Sequence, residues 1–320
     1  MTVCTGILAD HNSRTAASLS IRMFPHTVQH ILRIARVLRM RGGHLMLLGD
    51  GATGKRSLAR LAAFIVRAEV VSASPVHQGT AALWHANLRD ATISAGLHGV
   101  STVLLLTESH LMAEPVLHQL SEVFCGLAHR RLNQADLAAA AKEMKLLLPD
   151  PDSVPACELE AHFSQRVLRN LHCVICMPLG GSGIKRIAVE YPFLLQLFTI
   201  NVIGDLDEST HELIGTSHFE SVVEECKAHD IDGALPPASV LGNLVASIHR
   251  QAAQVAQQHE CASVLSAAFF ENLRLSSQIL PQKLAAHHSK QQRYVKGLAC
   301  LEDTRKALLA MHSDLDAMQV

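Results

Sequence analysis

A glycine-rich segment of seven residues carries the residue types that can bind phosphate groups. It consists of Gly49, Asp50, Gly51, Ala52, Thr53, Gly54 and Lys55, and it is followed by Arg56 and Ser57. Glycines permit backbone conformations that turn several N–H groups towards one anion, and a lysine ammonium can reach the outer phosphates of a nucleotide. We therefore predict that residues 49–57 bind the phosphates of ATP or ADP.

The elements on either side of this segment have the order that a phosphate-binding loop requires. Apolar residues at helical spacing predict a helix over residues 28–38, His44–Leu48 is a largely apolar run typical of a buried strand, and a second helical pattern follows over 55–68. This order places a helix N-terminus, with its partial positive charge, beside the anion. The alternative is an ordinary strand-to-helix turn, in which Lys55 is a solvated residue of the first helical turn.

The position after the lysine departs from the usual pattern. Phosphate-binding loops of this kind have Ser or Thr there, whose hydroxyl binds Mg²⁺. This chain has Arg56 at that position and the hydroxyl one residue later, at Ser57. One residue along a helix turns a side chain by about 100°. Ser57 is therefore a candidate magnesium ligand that approaches the metal from a different direction.

A second candidate element is the apolar run Val103–Leu106, which is followed by Thr107 and Glu108. Nucleotide sites of this kind usually end a neighbouring strand in Asp-Glu, where the Asp orients Mg²⁺ and the Glu polarises the attacking water. Thr107 occupies the Asp place and is the second candidate magnesium position, although it brings no negative charge to the metal. Glu108 is the candidate catalytic base. The alternative is that Glu108 is an exposed strand-end residue with no role.

Composition excludes several classes of partner. The 320 residues carry a net charge of −1 and 48% hydrophobic residues, so no strongly basic balance indicates a nucleic-acid partner. The longest apolar stretch, 191–203, is too short and too polar to span a membrane, and the N-terminus lacks the pattern of a signal peptide. Eight widely spaced cysteines favour a reducing, cytoplasmic location.

Cysteine and histidine spacing gives no metal site. Cys173 and Cys176 form a CxxC pattern inside an apolar run, and residues three apart on a strand face opposite sides of a sheet. We interpret both as buried structural residues. The 20 histidines show no paired spacing typical of zinc ligands.

Five separate motifs lie at residues 30–38, 49–58, 163–177, 191–201 and 293–298. In this order along the chain, they resemble motifs of the fourth AAA+ module of dynein heavy chains. Residues 163–177 are similar to the family's FxxRVRxNLHVVLCM, and residues 293–298 are similar to the RYxxGLxKL at the foot of the stalk. The resemblance implies an α/β fold: a AAA+ P-loop core of three αβα layers, a helical lid and a coiled-coil helix.

Together these patterns divide the chain into four segments. We expect an N-terminal tail over 1–20, the P-loop core over 21–216, the helical lid over 217–285 and the start of the stalk over 286–320. A seven-residue repeat supports the last, at Leu301, Leu308 and Leu315 with Leu298, Met311 and Met318 between them. The alternative for this segment is one amphipathic helix packed on the core.

Departures from the family make hydrolysis doubtful. The segment 127–145, which we interpret as an alanine-rich helix, replaces the family's GEVPNLF motif. Lys185, Ile187 and Val189 stand at the places of three arginines that, by resemblance, present a finger to the neighbouring module's nucleotide. Lys185 or Arg186 could substitute in part, although lysine lacks the planar fork of arginine.

Three functions remain open at this point. The leading hypothesis is a degenerate ATP-binding module that regulates a dynein-type motor ring; the others are an active ATPase and a structural spacer without nucleotide. By resemblance, the partners are neighbouring AAA+ modules of the same heavy chain, with microtubules contacted only through parts absent here, and the location is the cytoplasmic cytoskeleton or a cilium.

Overall fold

The computed structural model describes residues 2–19, 21–51, 53–72, 81–146, 155–204, 206–228, 236–259 and 266–318. The chain divides into two compact units, Met1–Asp205 and Leu206–Val320. In these described segments, every helix is too short or too polar to cross a lipid bilayer.

The first unit is built around a five-stranded sheet. Its strands are β1 His44–Leu48, β2 Glu69–Ser72, β3 Thr102–Thr107, β4 Leu171–Met177 and β5 Phe198–Val202. They lie in the order β2-β3-β4-β1-β5, and all four neighbouring pairs are parallel. Parallel neighbours need helical crossovers, which cover both faces of the sheet and explain why β1, β3 and β4 are almost continuously apolar.

The described residues of this unit form ten helices and two short helical turns. The helices are α1 Thr2–Arg14, α2 Pro25–Leu38, α3 Lys55–Ile65, α4 Ala81–Gly96, α5 Glu108–Leu111, α6 Glu114–Glu122, α7 Gln134–Leu146, α8 Ala156–Asn170, α9 Ser182–Glu190 and α10 Pro192–Leu197. The turns are a π-helical turn, Val123–Leu127, and a 3₁₀ turn, Ala128–Arg131.

Strand side chains alternate between two hydrophobic cores, one on each face of the sheet. On β4, Cys173 and Ile175 face the core that contains helices α4 and α8, whereas Val174 and Cys176 face the core that contains α2 and α3. This alternation follows the two-residue period of a strand. The structure therefore confirms the three-layer α/β fold, and it places the two sulfurs of the CxxC pattern on opposite faces as predicted.

The first 20 residues include a helix that packs on the core. On α1, the ring of His11 is buried and lies edge-on to Phe64 of α3, with 5.0 Å between the ring centres, and Leu19 is also buried. Asn12 further fastens this segment, because its side chain exchanges two hydrogen bonds with the backbone of Leu19. The segment expected to be a tail thus covers part of the α3 face.

The interpretation of residues 127–145 as one helix was wrong. The structure has the 3₁₀ turn Ala128–Arg131 and then a separate α7 that begins at Gln134. Leu132 has an extended backbone (φ −94°, ψ 147°), which ends the 3₁₀ turn, and the side chain of Asn133 accepts a hydrogen bond from the backbone N–H of Asp136. An extended residue followed by a side-chain cap marks a helix boundary.

In the second unit, the part of the chain that the structure describes forms three helices, α11 Glu208–Ala228, α12 Ala238–Gln258 and α13 Ser266–Met318. Gly215 and Gly242 let α11 and α12 approach closely, since a Cβ atom on Gly215 would lie 2.8 Å from Cα of Gly242. The rings of His211, His249 and Phe269 pack together where the three helices meet.

The expected boundaries of the lid fall inside helices of this unit. Position 216/217 lies within α11, which begins earlier because backbone N–H groups of Thr210 and His211 bond to the carbonyl of Asp207. Position 285/286 lies within α13, which continues through Pro281. The seven-residue repeat was expected on this part of α13, where every side chain from Ser289 to Met311 is exposed.

Candidate functional site

The sheet topology brings the two predicted nucleotide elements to one edge. All strands are parallel, so the loop after β1 and Thr107 at the end of β3 lie at the carboxyl edge, with β4 between them. In open α/β sheets, ligands bind outside this edge, where the strand order changes direction. Here β1 has β4 on one side and β5 on the other, and the glycine-rich loop follows it directly.

The loop starts where three strands end together. The N–H of Gly49 donates to the carbonyl of Met177 at 3.2 Å, and the N–H of Ile203 donates to the carbonyl of Leu48 at 2.7 Å. Gly49 is needed at this point, because a Cβ atom there would lie 2.4 Å from the carbonyl oxygen of Ile203. Gly54 has φ +76° and leads directly into α3. Both glycines therefore serve the sharp turn from strand to helix.

Lys55 is held against the inside of this loop. Its Nζ donates to the carbonyl of Gly49 at 2.7 Å, to the carbonyl of Asp50 and to Oγ1 of Thr53 at 3.0 Å. The hydroxyl of Thr53 in turn donates to the carbonyl of Asp50 at 2.9 Å. Burial lowers the pKa of Lys55 below its usual value, and the nearby Asp50 opposes that change. The ammonium thus lies where a phosphate could replace carbonyl oxygens as its acceptor.

The other residues of the loop and of the first turn of α3 differ in how exposed they are to solvent. Gly51 has open space around its Cα, and Ala52 lies outside the described residues. Arg56 is exposed on the first turn of α3, whereas Ser57 is half-buried. Burial raises the pKa of Cys176 to about 12, and the positive charges of Lys55 and Arg56 oppose that rise. Both cations therefore act on the end of β4, beside the loop.

Thr107 ends β3 in a closed set of hydrogen bonds. Its backbone N–H donates to Nδ1 of His110 at 3.0 Å, and its hydroxyl accepts the backbone N–H of His110, which completes a capping box for α5. Its hydroxyl also lies 2.7 Å from Nδ1 of His110 and 2.8 Å from the hydroxyl of Ser109. Sequence reasoning missed His110, although a Thr followed by a polar residue three positions later is a known capping signal.

Glu108 is turned towards helix α9. Its Oε1 accepts the backbone N–H of Gly183 at 2.9 Å and lies 3.4 Å from the hydroxyl of Ser182. Strand β3 was expected to end at this carboxylate, but it ends at Thr107 and Glu108 is the first residue of α5. A carboxylate at a helix N-terminus stabilises the helix. Glu108 therefore links the end of β3 to the start of α9.

Arg186 is bonded within its own unit. Its Nη1 donates to the carbonyls of Leu111 and Met112 at 3.0 and 2.9 Å, and its Nε pairs with Glu190 at 2.9 Å. The sequence offered Arg186 and Lys185 as partial substitutes for a finger to a neighbouring module. Lys185, one residue earlier on α9, is exposed.

The described residues contain no group of three or more histidine, cysteine, aspartate or glutamate side chains that could hold a metal ion. Of the two predicted magnesium positions, Thr107 lies at the sheet edge in the closed set of hydrogen bonds, and Ser57 lies on α3 beyond Arg56.

Comparison with known proteins identifies the family of this site. Residues 19–284 match the family model described as P-loop containing dynein motor region D4. The chain is 24% identical to mouse dynein axonemal heavy chain 1 over 322 residues, which is all of this chain and 8% of that protein. It is 29% identical to the cytoplasmic dynein heavy chain of Caenorhabditis elegans over 203 residues, which is 61% of this chain and 4% of that protein.

A solved structure was also found, the ORC2 protein of Aeropyrum pernix in complexes with ADPNP and ADP. It is 11% identical, with a TM-score of 0.38, and the match covers 82% of this chain and 71% of that one. The chain spans less than a tenth of the length of the dynein relatives quoted above.

Proposed function

Since the chain belongs to the family of the P-loop containing dynein motor region D4, we propose that it is a nucleotide-binding module that regulates a dynein-type ring without being an efficient ATPase itself. The loop 49–55 holds the phosphates of ATP or ADP through its amides and Lys55. Glu108 lies near the place of the terminal phosphate and responds to its presence.

The observation that carries this proposal is the position of Lys55. An ammonium group needs three acceptors, and here loop carbonyls and a threonine hydroxyl provide them inside the turn. Phosphate oxygens are stronger acceptors for an ammonium than neutral carbonyls. A polyphosphate can therefore replace these contacts without moving the helix that carries Lys55, and the N-terminus of α3 adds favourable charge.

The orientation of Glu108, after strand β3, favours regulation over efficient hydrolysis. A general base must be within hydrogen-bond reach of the water that it activates. Oε1 of Glu108 instead accepts the N–H of Gly183, so the carboxylate supports α9, whose next turns carry Lys185 and Arg186. A terminal phosphate carries negative charge and would repel the Glu108 carboxylate, which would change this support. Nucleotide state would thereby reach the helix expected to face a neighbouring module.

The wider context of the proposal comes from the relatives. Their printed names are axonemal and cytoplasmic dynein heavy chains. We propose that this module contacts neighbouring AAA+ modules of a heavy chain in the cytoskeleton or a cilium. Exposed Leu298, Leu301, Leu308 and Met311 on α13 support a coiled-coil partner for that helix. Microtubules are contacted only by parts outside these 320 residues.

Equilibrium binding tests nucleotide recognition. A fluorescent ATP analogue is titrated into the wild-type chain, Lys55→Ala and Lys142→Ala. Lys142 is an exposed lysine on α7 and serves as the matched control. We expect Lys55→Ala to weaken binding by about tenfold or more, since it removes a charge-assisted bond of about 1.5–3 kcal/mol, and Lys142→Ala to bind like wild type. Equally poor binding by all three chains would refute nucleotide recognition and favour the structural spacer.

Steady-state phosphate release separates regulation from hydrolysis. We expect the wild-type chain and Glu108→Gln to release phosphate at the same background rate. A wild-type rate clearly above background that Glu108→Gln abolishes would show instead that this module is an active ATPase.

A further inference from the structure

The residues at the expected position of magnesium do not fit that ion. Mg²⁺ in nucleotide sites is held by one or two carboxylates, waters and substrate phosphates in octahedral geometry. Here Thr107 stands at the strand-end position and Arg56 stands at the position after Lys55. Resting on the proposed function above, we propose that this site binds its nucleotide free of metal, with the Arg56 guanidinium in place of Mg²⁺.

The hydroxyl of Thr107 is engaged by groups of its own segment. It accepts the backbone N–H of His110, which completes the capping box of α5. Its oxygen also lies 2.7 Å from Nδ1 of His110 and 2.8 Å from the hydroxyl of Ser109. A metal ion would therefore compete with these protein groups for the hydroxyl, and a threonine brings no negative charge to favour the metal.

The carboxylate next to it is also directed elsewhere. Glu108 accepts the N–H of Gly183 through Oε1, and a Cβ atom at Gly181 would lie 2.3 Å from the same oxygen. This close packing fixes the carboxylate against the loop before α9. Bringing it to a metal or to a metal-bound water would leave the backbone N–H of Gly183 without this acceptor.

Arg56 supplies the missing charge at the right place. It follows Lys55 on the first turn of α3, directly after the loop, and its side chain is exposed to solvent. Its positive charge also opposes the rise in the pKa of the Cys176 thiol at the end of β4. The charge of Asp50 acts on Lys55 and offsets part of it. A guanidinium is always protonated and binds phosphate oxygens in pairs. Two successive cations can therefore balance phosphates that Mg²⁺ balances in other nucleotide sites.

The test is the metal dependence of nucleotide binding. The fluorescent ATP analogue is titrated into the whole chain with excess Mg²⁺ and with excess EDTA. We expect binding in EDTA to equal or exceed binding with Mg²⁺, because a nucleotide that carries Mg²⁺ must lose the ion before it meets Arg56. Binding that tightens by about tenfold or more when Mg²⁺ is added would overturn the inference. No binding in either condition would refute the proposed function itself, and the inference with it.

Variants locate the effect. Arg56→Ser restores a hydroxyl at the usual position, and we expect it to weaken metal-free binding by about tenfold and to make binding depend on Mg²⁺. Arg60→Ser is the matched control on the same helix, where Arg60 bonds to the hydroxyl of Ser72 at 3.2 Å and lies one turn from the loop. Metal-free binding that is unchanged in Arg56→Ser, or lost equally in Arg60→Ser, would contradict the role of Arg56.

A direct metal readout completes the test. Mn²⁺ is added to the complex, and protein-bound Mn²⁺ is followed by electron paramagnetic resonance. We expect the wild-type complex to hold none and the double variant Arg56→Ser, Thr107→Asp to hold one ion, since Asp both caps α5 and offers a carboxylate. Stoichiometric Mn²⁺ in the wild-type complex would overturn the inference independently of affinity.

Discussion

His44, the first residue of β1, should make this protein less stable as the pH falls. Its Nδ1 accepts the backbone N–H of Cys173 at 3.2 Å, and its ring packs against Phe124 and Phe198 with ring centres 4.4 and 5.5 Å apart. Burial, together with the nearby His172, lowers the pKa of His44 from 6.5 to about 4. The folded protein therefore keeps this imidazole neutral at a pH where the unfolded chain protonates it.

The size of the effect follows from that difference in pKa. Between the two pKa values of His44, the unfolded chain binds more protons than the folded protein. The contribution of neutral His44 to the free energy of unfolding is therefore complete above the pKa of the unfolded chain. It is lost as the pH falls towards the pKa of the folded protein. One pKa unit corresponds to 1.36 kcal/mol, which gives about 3 kcal/mol in all and about 2 kcal/mol between about pH 7 and about pH 5. Burial also lowers the pKa values of His30 and His172, so the wild-type loss should be larger still.

The assay is urea unfolding at several pH values, followed by the fluorescence of Trp84. This is the sole tryptophan of the chain, and it is 1% exposed in the first unit. The variant His44→Gln retains an acceptor for the N–H of Cys173 but does not titrate. We expect its free energy of unfolding to fall by about 2 kcal/mol less than that of the wild type over this pH range. Identical pH dependence in both proteins would refute the reasoning, because the neutral His44 would then contribute nothing.

Three further predictions concern single positions. Gly49→Ala should destabilise the first unit by about 1–3 kcal/mol and weaken binding of the fluorescent ATP analogue, whereas Gly51→Ala, which has open space around it, should leave urea unfolding unchanged. Trp84→Phe should cost about 1–3 kcal/mol in thermal or urea unfolding monitored by circular dichroism, since the buried indole N–H donates to a buried glutamine at 2.9 Å. Alkylation mapped by mass spectrometry should modify exposed Cys125 in the native protein and Cys176 only after unfolding, because burial hides that thiol and raises its pKa.

Each of these has a contrary outcome. Equal stabilities of Gly49→Ala and Gly51→Ala would show that β5 can move away from the loop. A Trp84→Phe variant as stable as the wild type would mean that the buried glutamine finds another donor. Alkylation of Cys176 in the native protein would contradict the placement of β4 inside the sheet.

Much of the fold could be predicted from the sequence alone. Both ends of β1 were predicted to the residue, because the largely apolar run starts directly after two glycines and ends directly before a third. The opposite faces of Cys173 and Cys176 followed from the two-residue period of a strand. These features are local: neighbouring residues, their spacing and their backbone preferences determine them. The family resemblance, now shown by the match over residues 19–284, likewise rested on motifs that are continuous in the chain.

Boundaries and helix ends were less predictable. The helix interpreted over 127–145 is divided, because the extended backbone of Leu132 ends the 3₁₀ turn and Asn133 caps α7. An alanine-rich composition does not reveal either feature. The start of α11 likewise depends on the backbone bonds to Asp207. Such ends are decided by one or two capping contacts, which composition and periodicity describe poorly.

Only the tertiary structure decided what the second nucleotide element does. Thr107 and Glu108 stand next to each other in the sequence at the places of a magnesium-orienting and a catalytic residue. Whether they can act so depends on His110, which takes up the hydroxyl of Thr107, and on Gly183, 75 positions further along the chain, which holds the carboxylate of Glu108. Hydrogen-bond capacity is finite, and its allocation between distant segments is set by packing. The sequence thus determined the phosphate loop, whereas the fold determined which groups beside it remain available to a ligand.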